Sequence, residues 1–220
     1  MKTPVVAINF KTYASSTGTS ATILAQLCEE TAKKTQKNVF ICVSATDVHL
    51  GEKLTIPVYA QHVDGVNYGA HTGDILPGDL AQYNVAGSLI NHSEDQYTIE
   101  NIKQAIDACK AAKIESIVCA GSLDIAKQVA EFAPDCIAYE PPDLIGGDVS
   151  VTTRPEIVSQ VKEAIQAINK DIKILVGAGV KNANDVKLAL ELGTDGVLLA
   201  SAITKAEDPQ KILEELVAPL

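Results

Sequence analysis

Eight short apolar runs punctuate the chain: VVAIN (5–9), VFICV (39–43), VYAQ (58–61), SLIN (88–91), SIVCA (116–120), CIAYE (136–140), ILVGA (174–178) and VLLAS (197–201). Each is continuous rather than alternating, the pattern of parallel strands covered on both faces. Helical stripes lie between most of them: Ile23, Leu24, Leu27 and Cys28; Ile99, Ile102, Ile106 and Cys109; Ile125, Val129 and Phe132; Ile157, Val161, Ile165 and Ile168. Thr153 and Glu156 stand at capping-box spacing, and Asp208-Pro209 reads as an N-cap followed by the first helical residue. The alternation runs through all 220 residues without a linker or low-complexity stretch. It predicts an α/β fold, a single closed (β/α)8 barrel over residues 1–220. An open doubly wound sheet is the alternative. That sheet calls for a glycine-rich loop after the first strand, where "NFKTYASS" stands instead.

A barrel of this kind carries its chemistry at the C-terminal ends of the strands. There the first run ends in Asn9-Phe10-Lys11, the third in Gln61-His62-Val63-Asp64, the fourth in Asn91-His92-Ser93-Glu94 and the sixth in Glu140. Taken singly, each has a structural reading: Lys11 as surface charge, His92 as a bonded core histidine, Glu94 as a cap for the next helix. Asn9 is harder to dismiss, because an amide ending an apolar strand must find partners. Their convergence on one edge favours a functional reading. Small residues after the last two strands, Gly177-Ala178-Gly179 and Ala200-Ser201-Ala202, let backbone N–H groups approach an anion closely.

Charge sharpens that point. The net charge is −10, from 18 basic and 28 acidic residues, so an anion must be drawn by a locally built positive site. Without a Lys/Arg cluster, nucleic acid is not an expected partner. Cysteines 28, 42, 109, 119 and 136 are odd in number and form no CxxC or zinc spacing, as expected of buried thiols in a reducing compartment. Neither a signal peptide nor an 18-residue apolar stretch is present, so a soluble, cytoplasmic protein without a membrane partner is expected.

The motifs "INFKTY", "AQHVDGVNYGAHTGDILPGD", "SLINHSE", "IAYEPPDLIGG", "LVGAGVKNANDV" and "GTDGVLLASA" stand in order and nearly span the chain. In these the chain resembles the triosephosphate isomerases, specifically the short archaeal type. The resemblance implies a TIM barrel that interconverts dihydroxyacetone phosphate and glyceraldehyde 3-phosphate, without cofactor or metal, as a homo-oligomer, dimer or tetramer. It makes Glu140 the base, His92 the electrophile, Lys11 and Asn9 the holders of the developing oxyanion, and Glu94 the organiser of Lys11. Phosphate would meet Asn9, Lys11, Ile145, Gly146, Gly179, Ala200 and Ser201. A lid would run through Pro141, Pro142, Leu144, Ile145, Gly146, Gly147 and Asp148, with Leu144 and Ile145 covering the substrate. Thr72 would approach the neighbouring subunit's site. A helix starting just after "HSE" would turn its positive end on the imidazole and favour its neutral form.

The chain departs from the family in two places. Gly146-Gly147-Asp148 stands where the lid usually reads Gly-Thr-Gly, which brings a carboxylate toward the substrate phosphate unless Asp148 faces solvent or a hinge partner. Asp95-Gln96 follows "HSE" where basic residues are common, which leaves Asp74 without its usual cation. Rival readings are weaker. A Schiff-base aldolase needs a lysine inside the barrel, commonly on the sixth strand, which here ends in Glu140. A metal-dependent epimerase would have to use His62, Asp64 and His71, whose spacing matches no ligand pattern. A phosphometabolite sensor has no reason to keep Asn9, Lys11, His92 and Glu140 together.

Overall fold

The computed structural model describes residues 1–144 and 150–220. Within them the apolar runs form β1 (Val5–Asn9), β2 (Asn38–Val43), β3 (Val58–Ala60), β4 (Gly87–Ile90), β5 (Glu115–Ala120), β6 (Cys136–Tyr139), β7 (Lys173–Val176) and β8 (Gly196–Leu199). All pair in parallel and in chain order. The sheet closes where β8 meets β1, with Val5 opposite Gly196 and Ile8 opposite Leu199. Closure removes the edges that the open-sheet alternative would leave. Helices α1 (Thr19–Thr35), α2 (Pro77–Gln82), α3 (Ile99–Ala112), α4 (Leu123–Ala130), α5 (Pro155–Ile168) and α6 (Ala183–Glu191) connect strands, a 3-10 helix over Ala45–Glu52 joins β2 to β3, and α7 (Ser201–Thr204) and α8 (Pro209–Val217) follow β8.

The period of two along each strand splits the core into two layers. Val6, Ile8, Ile41, Val118 and Ile137 face outward and pack under the helices. Val5, Ala7, Cys42, Leu89, Cys119, Cys136, Ala138, Leu175 and Leu198 meet inside the barrel. Aliphatic side chains alone do not fill this interior. Phe40 and Tyr59 also pack there, with ring centroids 4.4 Å apart. All five cysteines are free and buried. Extending the inward phase by one step places Asn9, Glu140, Gly177 and Ala200 at the C-terminal mouth, which is how the sequence delivers these residues to one rim.

Several local expectations are corrected. On α1 the buried face is Ala21, Leu24, Ala25, Cys28, Thr31 and Ala32, and Ile23, two positions from Ala21, is 63% exposed. Small residues carry that face, so a count of large apolar residues misplaces it. Ile168, the last residue of α5, is 42% exposed. Thr153 does not cap α5: its hydroxyl donates to the Ser150 carbonyl at 2.7 Å, and the helix enters through Arg154 with Pro155 at its first position. Asp208 does cap α8, accepting from the Lys211 N–H at 3.1 Å.

Candidate active site

A cleft of about 70 Å³ opens at the barrel mouth, lined by Asn9, Lys11, Tyr13, His92, Glu140, residues 178–181 and residues 198–201. It gathers the expected residues Asn9, Lys11, His92, Glu140, Gly179, Ala200 and Ser201 into one site. Asn9, the last residue of β1, is buried, and its Oδ1 accepts the Lys11 N–H at 2.9 Å. Lys11 takes a left-handed conformation (φ 51°), and Nζ reaches Glu94 Oε1 at 2.7 Å. Gln61 completes the support by donating to the Lys11 carbonyl at 3.0 Å and the Cys42 carbonyl at 3.1 Å. Glu94 is thus the ion-pair partner of Lys11, not a helix cap.

His92 sits on a turn beyond β4. Asn91, also left-handed (φ 62°), fixes that turn by donating to the Cys119 carbonyl and accepting the Tyr97 N–H, each at 2.9 Å. No helix begins just after "HSE": α3 starts at Ile99, capped by Thr98. A single backbone group does the work expected of a helix end. The Glu94 N–H donates to His92 Nδ1 at 3.2 Å. An Nδ1 that accepts such a bond suits a neutral ring with its hydrogen on Nε2. The Glu94 carboxylate lies 3.6 Å from the same nitrogen, too far to compete for it. His92 Nε2 faces Glu140 Oε2 at 4.0 Å.

Glu140 follows β6, and its N–H pairs with the Ala120 carbonyl at 3.0 Å. The residue is 7% exposed, and among the described residues Oε2 has no hydrogen-bond partner. Burial raises its pKa above the ordinary 4.5, against the opposing pulls of His92, the bonded Cys119 thiol and Lys11, while Glu94 adds to the rise. A buried, unpartnered carboxylate oxygen is costly unless something is meant to meet it.

The sequence places Gln61 at a strand end without a role and does not single out Tyr13, Val180 and Lys181, or Cys119 beyond a buried thiol. It assigned Gly177 to the anion loop. In the structure a Cβ on Gly177 would lie 2.5 Å from Glu140 Oε1, so the missing side chain is the space the carboxylate occupies. The inward phase shared by Leu175 and Gly177 is the signal that could have shown it.

Beyond the cleft, the departure after "HSE" has its own contacts. His62 bonds both Asp95 (2.6 Å) and Asp64 (3.1 Å), and its ring contacts the Tyr97 hydroxyl. Asp74 has His71 Nδ1 at 3.9 Å, a cation-capable neighbour of its own. Of the three candidate ligands, His62 and Asp64 meet each other, whereas His71 lies against Asp74 instead. Thr72 is exposed on the loop between β3 and α2. In the segment expected to lead into a lid, Pro142–Leu144 make a short 3-10 turn with Pro141 and Leu144 buried, and Asp143 pairs with Arg154 at 3.0 Å. Ile145, Gly146, Gly147 and Asp148 lie outside the described residues. Among the described residues no helix is long and apolar enough to cross a membrane.

A sequence profile described as triosephosphate isomerase matches residues 4–216. The triosephosphate isomerase of Methanobrevibacter smithii is 40% identical over 222 residues, covering 100% of both chains. That of Methanocaldococcus jannaschii is 40% identical over 215 residues, 97% of this chain and 98% of its own. The crystal structure of the Bartonella henselae enzyme superposes with a TM-score of 0.78 at 21% identity, covering 96% of this chain and 98% of that one.

Proposed function

The chain belongs to the triosephosphate isomerase family, and on that premise we propose that it interconverts dihydroxyacetone phosphate and D-glyceraldehyde 3-phosphate without a cofactor. Glu140 takes a proton from the carbon beside the carbonyl. The electron pair of that C–H bond moves to the carbonyl oxygen and forms an enediolate. A proton then passes from the hydroxyl oxygen to the former carbonyl oxygen. Returning the carbon-bound proton from Glu140 to the former carbonyl carbon leaves the new carbonyl on the other carbon, which is the other triose. The observation that carries this reading is the buried, unpartnered Glu140 Oε2 with His92 Nε2 at 4.0 Å across the same cleft.

Each remaining group has a place in that scheme. His92, with its hydrogen on Nε2, donates to the substrate oxygens. Lys11 and the Asn9 amide stabilise negative charge as it develops, and donors fixed beforehand need no reorganisation during the step. Glu94 holds Lys11 in position. Backbone N–H groups near Gly179, Ala200 and Ser201 receive the phosphate, helped by Gly146 and Ile145 of the lid. A lid following Glu140 would exclude water from the site.

We read the protein as a glycolytic and gluconeogenic enzyme of the cytoplasm, a compartment its five free cysteines suit. A homo-oligomer fits the exposed loop that carries Thr72 and Tyr68, the latter 72% exposed. The test is isomerisation of glyceraldehyde 3-phosphate by the wild type and by Glu140→Gln. Activity that survives the substitution intact would remove Glu140 from the mechanism. A wild type that turns over no triose phosphate would remove the reaction itself.

A further inference from the structure

Tyr13 brings the one aromatic ring to the cleft among the described residues, and the scheme above gives it no task. The residue is half-buried, and its hydroxyl makes no hydrogen bond among the described residues. Its neighbours fix which end of the cleft it walls. The Lys205 ammonium stands over the ring, 4.6 Å from its centroid. Lys205 is one helical turn beyond Ser201, and its N–H donates to the Ser201 carbonyl at 3.2 Å. Two residues after Tyr13, the Ser15 hydroxyl donates to the Thr204 carbonyl at 2.6 Å. Thr204 is buried, and its own hydroxyl donates to the Ala200 carbonyl at 3.2 Å. Tyr13 therefore stands against α7, at the end of the cleft where Ala200 and Ser201 lie.

The loop that carries the ring is held from behind as well. The Tyr13 carbonyl accepts the Ser16 N–H at 2.9 Å and the Thr17 hydroxyl at 3.2 Å. Lys11 stands two residues earlier on the same loop, so the cation facing Glu94 and the ring facing α7 share one segment. Lys205 is the less expected partner. In a chain of 28 acidic and 18 basic residues an exposed lysine finds a carboxylate easily, yet Lys205 makes no ion pair among the described residues. Its ammonium rests on the ring face instead, where the ring quadrupole attracts a cation. The positive charge behind this wall is left uncompensated, as an anion site in an acidic protein requires.

We propose that Tyr13 is a substrate-binding and specificity residue: its ring, braced by Lys205, closes the phosphate end of the cleft and limits it to three-carbon phosphates. This rests on the triose phosphate reading and adds to it what sets the length of the substrate. With the reacting carbons held between Glu140 and His92, a chain one carbon longer drives its phosphate against the ring. A wall of this kind discriminates one added carbon by about 10- to 200-fold.

The test is steady-state kinetics with glyceraldehyde 3-phosphate and, as the longer probe, erythrose 4-phosphate. Tyr13→Ala should raise KM for the triose about tenfold with kcat within about threefold, the signature of lost uniform binding. It should also raise the four-carbon to three-carbon ratio of kcat/KM about tenfold or more, a change that mere loosening of the fold does not produce. Tyr13→Phe keeps the ring and should recover most of both. Lys205→Met should raise KM about two- to fivefold, the scale of an exposed cation–π contact, and Lys205→Arg should restore it. Added to Tyr13→Ala, Lys205→Met should do no further harm, because Lys205 acts through the ring. The proposal is overturned by a Tyr13→Ala protein with wild-type KM and an unchanged ratio. Losses that multiply in the double variant also overturn it, by giving Lys205 a contact to phosphate of its own. If Tyr13→Ala does not fold, Lys205→Met decides, and an unchanged KM there overturns the pairing. A wild type inactive on triose phosphate removes the underlying reading, whereas an active wild type indifferent to Tyr13 removes this inference alone.

Discussion

The carboxylate of Glu140 occupies the space where a side chain on Gly177 would stand, a built Cβ coming within 2.5 Å of Oε1 and 2.6 Å of Cγ. The two residues end adjacent strands β6 and β7, tied by the Gly177 N–H to the Tyr139 carbonyl at 2.9 Å. Gly177 carries no left-handed φ that would itself demand glycine. Gly177→Ala therefore leaves the backbone at ease and pushes the base aside. The expected loss in kcat is on the order of 100-fold, the scale of a 1 Å misplacement at a reacting group. Overpacking should cost about 1–3 kcal/mol of stability. An alanine variant with wild-type kcat would show that the carboxylate does not need this space.

That contact marks the boundary of what the sequence could tell. Parallel strands covered on both faces are continuous apolar runs, so eight strands and their order were readable, and with them the rim on which Asn9, His92 and Glu140 converge. Contacts across the barrel were not. Beyond the inward phase shared with Leu175, nothing in "LVGAG" says that Gly177 yields its volume to Glu140 on the neighbouring strand. The same holds for Cys119 against Glu140 and for His62 between Asp64 and Asp95. Helix faces built from Ala and Thr, as on α1, hide from a count of large apolar residues. The turn after His92 was misread for another reason: one backbone N–H replaced an entire helix end.

Glu140 should set the acidic limb of activity. Burial raises its folded-state pKa above the ordinary 4.5, so the base is lost to protonation at a higher pH than for an exposed carboxylate. The limb of kcat/KM is expected above pH 4.5. The stability sign follows from linkage. Between the two pKa values the folded state binds more protons than the unfolded chain, so the stabilisation present below 4.5 is lost as pH rises through the folded value. Glu140→Gln abolishes that loss and should melt above wild type near neutral pH, by about 0.5–2 kcal/mol, while its activity collapses. A variant that melts below wild type at every pH would contradict the buried-charge account.

Lys11 and Glu94 should behave as one unit. Lys11→Ala removes the cation that faces developing charge, with an expected loss of about 100- to 1,000-fold in kcat. Glu94→Gln keeps an acceptor but not its charge, and should cost about tenfold through the position of Lys11. Because Nζ and the carboxylate meet at 2.7 Å, the double variant should be no worse than Lys11→Ala alone. Losses that multiply in the double variant would mean Glu94 acts independently.

The loop after β7 depends on a cap four residues further on. Ala178 and Gly179 are both left-handed, at φ 73° and 72°, and lead through Val180 into Lys181 and Asn182. Asp185 is buried, and its Oδ2 accepts the Lys181 N–H at 2.8 Å and the Asn182 N–H at 3.3 Å. Asn182 Oδ1 in turn accepts the Asp185 N–H at 3.1 Å, completing a capping box at the start of α6. Asp185→Ala frees two backbone donors and should cost about 1–2 kcal/mol. If the 178–181 loop receives the substrate phosphate, loosening it should raise KM by about three- to tenfold with kcat within about twofold, the signature of lost uniform binding. Asp185→Asn keeps an acceptor and should recover most of the KM. A destabilised Asp185→Ala protein with unchanged KM would show that the cap supports α6 alone and that the phosphate is held elsewhere.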